Sequence, residues 1–130
     1  MSLTQIFEIS ASAVSAQSQR LNVVSSNLAN AETIAGPNGE PYKARQVVFQ
    51  AQGQDGTVRV SQVVEDNAPG KRIHDPKHPL ADAQGYITQS NVNVVEEMVN
   101  MISASRAYQN NIDVMNTARQ LLSKTLQLGQ

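Results

Sequence analysis

All five prolines and six of the seven glycines fall between Gly36 and Gly85. These two residue types interrupt regular structure more reliably than any others. The chain is therefore partitioned into an unbroken N-terminal segment, a punctuated middle and an unbroken C-terminal segment, with Gly129 the one glycine outside the middle. Two uninterrupted ends of this length can form long helices; the middle can hold only short elements and turns.

The N-terminal segment repeats every seven residues at Phe7, Val14, Leu21 and Leu28, with a companion series at Leu3, Ser10, Gln17, Val24 and Ala31. A heptad stripe is narrow and suits a coiled-coil seam. A helix from Leu3 to Ala31 would be about 45 Å long. The C-terminal segment repeats the pattern through Val94, Met101, Tyr108, Met115 and Leu122, and through Met98, Ser105, Ile112, Arg119 and Leu126. Two matching stripes at opposite ends of one chain are expected to pair. The predicted fold is mainly α: long N- and C-terminal helices paired as an antiparallel coiled coil, with a small β-rich insert between them. The boundaries are 1–33, 34–90 and 91–130. Phe7, Val14, Leu21, Val24, Leu28, Val94, Met98, Met101, Tyr108, Ile112, Met115, Leu122 and Leu126 are the expected seam and assembly-interface residues.

In the middle, Gln46–Gln50 and Thr57–Val60 favour strands, and Asp55-Gly56 is a turn signal between them. Gly36–Gly39 and Asn67–Gly70 read as loops. So few large apolar residues make a marginal core, and the insert is expected to lean on the helices or on a neighbour.

Charge is scarce on the helical ends. Fourteen of residues 1–31 are Ser, Thr, Asn or Gln, and only Glu8 and Arg20 are charged. The whole chain is 16% charged, against roughly 25% in an ordinary domain. A solvent-facing helix normally carries Lys, Glu and Arg on its outer side. Amides and hydroxyls instead suit helices covered by neighbours, where they hydrogen-bond without the desolvation cost of an ion. Alone, such segments bury little against an ordering cost of about 1–2 kcal/mol per residue and are expected to order on assembly.

The net charge of −1 gives no reason to expect nucleic acid, and no cysteine is present for a disulfide or thiolate site. No apolar run is long enough for direct membrane insertion. The first 30 residues lack a basic region followed by an apolar core, so export, if it occurs, is expected without a cleaved signal.

Catalytic and metal chemistry are poorly supported. His74 and His78 lie four apart with Asp75 and Asp82 nearby, but Pro76 and Pro79 deny them a common helix face. A turn packed on neighbouring subunits is the better reading. Glu96 and Glu97 complement the start of a helix, and Met98, Met101 and Met115 read as core filler. No Ser has a His or Lys partner at motif spacing. The expectation is a protein without enzymatic activity, cofactor or metal.

The stretch SSNLANAET, residues 25–33, places Asn27 and Asn30 around Leu28 where the first helix should end. Asparagine favours caps and turns over helix interiors. The pair reads either as a cap or as hydrogen-bonding amides at an interface. This stretch and PYKARQVVF at 41–49 resemble the N-terminal signature of the bacterial flagellar axial proteins. HDPKHPLADAQGYI at 74–87 and the long stretch from Asn91 to Gly129 are similar to that family's short proximal-rod subunits. IAGPNGE at 34–40 departs from the family's pattern as a local loop insertion. The resemblance implies a structural subunit of the basal-body rod, exported by the flagellar type III apparatus. It would polymerise in the periplasm with copies of itself and other rod subunits, as part of the drive shaft that carries motor torque. The alternatives are another flagellar axial subunit, a soluble coiled-coil adaptor or export chaperone, and a small metalloenzyme using His74, His78 and Asp82.

Overall fold

A computed structural model describes residues 2–36 and 39–129, so Pro37 and Asn38 of the expected loop lie outside the described residues. The fold is mainly helical, with a small antiparallel strand insert between two terminal helices. Helix α1 spans Leu3–Ala29 and α2 spans Val94–Leu128. Each starts on a polar cap. The Ser2 hydroxyl accepts from the Gln5 N–H at 3.1 Å, and the Asn93 carbonyl oxygen of the side chain accepts from the Glu96 N–H at 3.1 Å. These caps satisfy backbone donors that have no partner inside a helix.

The helices run side by side in opposite directions: Asn27, near the end of α1, bonds Glu97 at the start of α2, and Leu3 lies beside Ala118. Small and polar residues line this contact. Ser10, Ala16, Val24 and Asn27 are the buried residues of α1, and Glu97, Ala104 and Ala118 those of α2. The register of the inner face differs from the sequence expectation. On α2 the buried positions fall one residue before the series through Met98, Ser105 and Ile112, leaving Met98 53% and Leu126 65% exposed. On α1 the companion series supplies Ser10 and Val24, whereas Phe7 is exposed and Val14, Leu21 and Leu28 are half-buried. Apolar periodicity marks the large side chains, while close helix contact selects small ones.

Four strands form the insert. β1 (Arg45–Gln52) and β2 (Thr57–Glu65) make an antiparallel hairpin with a bulge between Val48 and Phe49. The hairpin lies along α1: the Ser12 hydroxyl accepts from the Val58 N–H at 3.1 Å while donating to the Ile9 carbonyl at 2.7 Å. β3 (Lys71–His74) and β4 (Tyr86–Gln89) form a second antiparallel pair that the sequence reading did not anticipate. Each has four residues, too few for a period-two pattern, and their partners are separated by a loop.

That loop, residues 75–85, is organised by Asp82. Its Oδ1 accepts from the Tyr86 and Gln84 N–H groups, each at 2.9 Å, and its Oδ2 lies 3.4 Å from the Arg72 guanidinium. Arg72 also stacks over Tyr86, 4.5 Å from the ring centre, and His74 meets the same ring edge-on. Gly85 closes the turn at φ +84°, where a side chain would be strained and would press on Pro76. The Tyr86 N–H, followed by Gln84 and Arg72, holds the Asp82 carboxyl below the usual carboxylate range. Because the folded pKa is depressed, the bonds are intact above the ordinary aspartate pKa of about 3.9 and are lost as pH falls through the lower folded value. Acidification through that lowered folded value should therefore weaken protection of the Gln84 and Tyr86 amides while β1 and β2 stay protected. In Asp82→Asn, which keeps an acceptor, the same amides should show no such pH dependence by NMR hydrogen exchange.

Candidate functional site

The region that ties the three parts of the chain together is built on two asparagines. Asn27 is 0% exposed. Its Nδ2 donates to the Arg45 carbonyl at 2.7 Å and to Glu97 Oε2 at 3.1 Å. Its Oδ1 accepts from the Tyr42 hydroxyl at 2.8 Å and from the Arg45 N–H at 2.9 Å. An amide has two donors and two acceptor sites, so this side chain is fully used. It grips both backbone groups of the residue that begins β1 and reaches the first turn of α2. Since the Tyr42 hydroxyl donates to Asn27, it accepts from Ser26 Oγ, 3.0 Å away.

Asn91 makes the complementary tie from the other side. Its Oδ1 accepts from the Ala44 N–H at 2.7 Å, and its Nδ2 donates to the Asp66 and Ala68 carbonyls, both at 2.9 Å. The buried Ser90 hydroxyl donates to the Ala31 carbonyl at 2.7 Å, joining the exit of α1 to the entry of α2. Between these polar ties sits a small apolar cluster of Ala31, Ala44 and Val92, flanked by Tyr42 and Val94. The joint thus has an apolar centre with its surrounding backbone groups paired.

The two asparagines singled out in SSNLANAET therefore do different work. Asn30 ends α1: its N–H bonds the Ser26 and Asn27 carbonyls, and its side-chain Nδ2 donates back to Ser26 O at 2.8 Å. Asn27 makes no cap; it fastens the insert and α2 to α1. Glu97, expected to complement the helix dipole, is also a member of the joint. Sequence reasoning missed Tyr42, Ser90 and Asn91 as structural ties. The available signal was uncharged polar residues at each point where a helix meets the insert.

The expected seam residues divide by position. Val24 is buried; Val14, Leu21, Leu28, Val94, Met101, Tyr108, Ile112 and Met115 are half-buried; Phe7, Met98, Leu122 and Leu126 are exposed. The donors once considered for a metal are engaged locally: His78 Nδ1 accepts from the Leu80 N–H at 3.0 Å, and both Asp82 oxygens have protein partners. Among the described residues, no group of three or more His, Asp or Glu is arranged to hold a metal ion. No described helix is long and apolar enough to cross a membrane.

A buried polar group left without its partner costs about 1–3 kcal/mol. Asn27→Ala strands the Arg45 N–H, the Arg45 carbonyl and Glu97, so a loss of about 2–4 kcal/mol is expected. Asn30→Ala removes one side-chain bond beside water and should cost about 1 kcal/mol or less. Thermal melting of the purified variants checks the order, and hydrogen exchange at the Arg45 amide should rise sharply only in Asn27→Ala.

Comparison with known proteins identifies the type of chain that carries this joint. Residues 7–34 match the family described as "Flagella basal body rod protein", and residues 83–128 match "Flagellar basal body rod FlgEFG protein C-terminal". The chain is 56% identical over 134 aligned positions to the flagellar basal-body rod protein FlgC of Yersinia enterocolitica, covering 100% of both chains. It is 54% identical to FlgC of Escherichia coli O6:H1 and 56% identical to FlgC of Salmonella typhimurium strain LT2, again over the full length of each. The first match contains Asn27 and Asn30, and the second contains Ser90, Asn91 and Glu97, so the family signatures span both sides of the joint. The chain belongs to the FlgC family of flagellar basal-body rod proteins.

Proposed function

We propose that this chain works as a structural subunit of the flagellar proximal rod, polymerised into the shaft that carries motor torque across the periplasm. The full-length similarity to FlgC proteins carries this reading. The distribution of apolar surface supports it. The contact between α1 and α2 is filled mainly by small side chains, while Val95, Met98, Val99, Ile102, Leu121 and Leu126 remain exposed. Such a surface on a single chain marks an interaction site.

In this reading residues 1–33 and 91–130 form the inner wall and residues 34–90 the outer insert. Among the half-buried and buried positions of α2, which also include 94, 100, 107 and 112, the run 97, 101, 104, 108, 111, 115 and 118 alternates steps of four and three. That spacing supports a coiled-coil pairing of the two helices. Phe7, Leu28 and Ile112 then face both the partner helix and neighbouring subunits, while Met98 and Leu126 face neighbouring subunits alone, including copies of this chain and other rod proteins. Export through the flagellar type III apparatus delivers the subunit. Its role is mechanical, with no reaction to catalyse and no cofactor to hold. The joint at Asn27 and Asn91 fits that role, because it fixes the insert to the wall at several points instead of leaving a free linker.

In cells lacking their own proximal-rod FlgC, the wild-type chain should restore swimming. Leu28→Asp or Ile112→Asp should abolish swimming at normal expression, because each places a charge in the helix wall; His78→Ala should retain most of it. Unimpaired motility of the charged variants would remove the seam assignment. A purified chain that is a stable dimer at low concentration, with both helices fully protected from protease, would favour a soluble adaptor instead.

A further inference from the structure

Charge is so scarce on α1 that the place of its one cation is informative. Glu8 and Arg20 are the only charged residues between Leu3 and Ala29. Arg20 is half-buried and opens onto a cleft of 440 Å³. The floor of the cleft is α1, through Arg20 and Val23. One wall is β1, which presents Val47 and Phe49; the other is the start of α2, which presents Glu96, Glu97 and Asn100.

The hairpin rests on α1 alone: no Cα atom of β1 or β2 comes within 8 Å of one in α2. The two walls are tied at the base, where Asn27 bonds both Arg45 and Glu97. Beyond that pin they stand apart, and the groups between them are complementary. Glu97 is 5% exposed, yet its carboxylate is met at Oε2 by the neutral Asn27 amide. A buried carboxylate without a cation leaves its desolvation uncompensated. Among the described residues, Arg20, Glu96 and Glu97 form no ion pair, whereas Arg45, the other cation of the cleft, has Glu65 across the hairpin at 4.0 Å. Two guanidinium groups and two carboxylates balance, so the cleft offers a charged ligand no net attraction. Its charges match one another instead. The Phe49 ring, 37% exposed, and the half-buried Val47 and Val23 supply apolar surface that a narrower cleft would cover.

We infer that the β1–β2 hairpin is a strap that closes on the first turns of α2 when the subunit is built into the rod. It turns about the pin between Asn27 and Arg45, and Val47 and Phe49 move over Val23 towards Asn100. Arg20, enclosed between the walls, pairs with Glu97 and Glu96. In the single chain, closure gains too little to offset the ordering of the strap; confinement by neighbouring subunits supplies the rest. Once the walls exclude water, the pairing is screened less and holds more strongly. Arg20 is then the latch that keeps the insert and both helices in one register. This inference rests on the rod reading and assigns the change that assembly makes within one subunit.

A disulfide across the cleft tests it, since the chain has no native cysteine. Such a bond needs Cα atoms about 4.4–6.8 Å apart, closer than β1 and α2 come in the open cleft. In cells whose only FlgC is this chain, the variant Phe49→Cys/Asn100→Cys should form an intrachain disulfide in isolated basal bodies. Its yield there should be several-fold above that of the purified chain under the same oxidant. Arg20→Met added to the pair should lower the basal-body yield several-fold, and Arg20→Lys should retain most of it. Equal yields in the two states, disulfides between chains only, or a yield indifferent to Arg20→Met would each overturn the inference. The wild-type chain in a map of the basal body gives a reading without substitutions. There the Arg20 guanidinium should lie within about 4 Å of a Glu96 or Glu97 carboxylate, and a cleft still open at Phe49 overturns the closure whatever the variants do. Absence of the wild-type chain from basal bodies would instead overturn the rod reading itself.

Discussion

The fold depends on one buried amide. Asn27 spends both donors and both acceptor sites on three segments that are far apart in sequence: the approach to β1, β1 itself and the first turn of α2. An ion at that position would bring a desolvation cost, and a carboxylate would lack the donors that the Arg45 carbonyl and Glu97 require. A hydroxyl would be too short of bonding capacity. Asparagine is the small side chain that satisfies a backbone N–H, a backbone carbonyl and a carboxylate together. Asn91 applies the same chemistry from the α2 side. Between them they place the insert relative to both helices with uncharged groups only, apart from Glu97.

This explains a composition that would be odd for an independent helical protein. The seam between α1 and α2 contains Ser10, Ala16, Ala104 and Ala118, which add little apolar area. At about 25 cal/mol per Å² buried, such a seam contributes far less than one filled with leucine. Its value is geometric: small residues permit close approach, and buried polar residues fix register, since a shifted pairing leaves them unsatisfied. The large apolar residues lie where a neighbouring subunit can reach them.

Much of this was legible in the sequence, for identifiable reasons. Gly and Pro placement marked the insert because those residues act through local backbone geometry. The end of α1 followed from Asn30, whose side chain caps locally, whereas the Ser2 and Asn93 caps emerged only in the structure. The inner register was not legible, because periodicity in large apolar residues cannot tell a partner helix in the same chain from one in the next. Met98 and Leu126 carry the heptad signal yet point away from the intrachain contact. The roles of Tyr42 and Asn91 were hidden for another reason: their partners are distant in sequence, and a single chain gives no local sign of which amide meets which carbonyl. The pair β3 and β4 was missed through its brevity.

A division of labour follows from where the energy lies. Contacts inside the chain are polar, small and directional, so they set geometry at modest stability. Contacts offered to other chains are apolar and exposed, so they supply stability only when a second surface is present. A subunit built this way can hold its joint while its long helices remain only partly supported. Assembly with other basal-body rod components then supplies the burial that the single chain lacks. The coupling is physical, because the residue that anchors the insert bonds Glu97, the neighbour in sequence of the apolar patch at Val95, Met98 and Val99. Ordering the back of those turns in an assembly also orders the face that grips Asn27, so the position of the insert is fixed most firmly in the assembled state, where a shaft must be stiff.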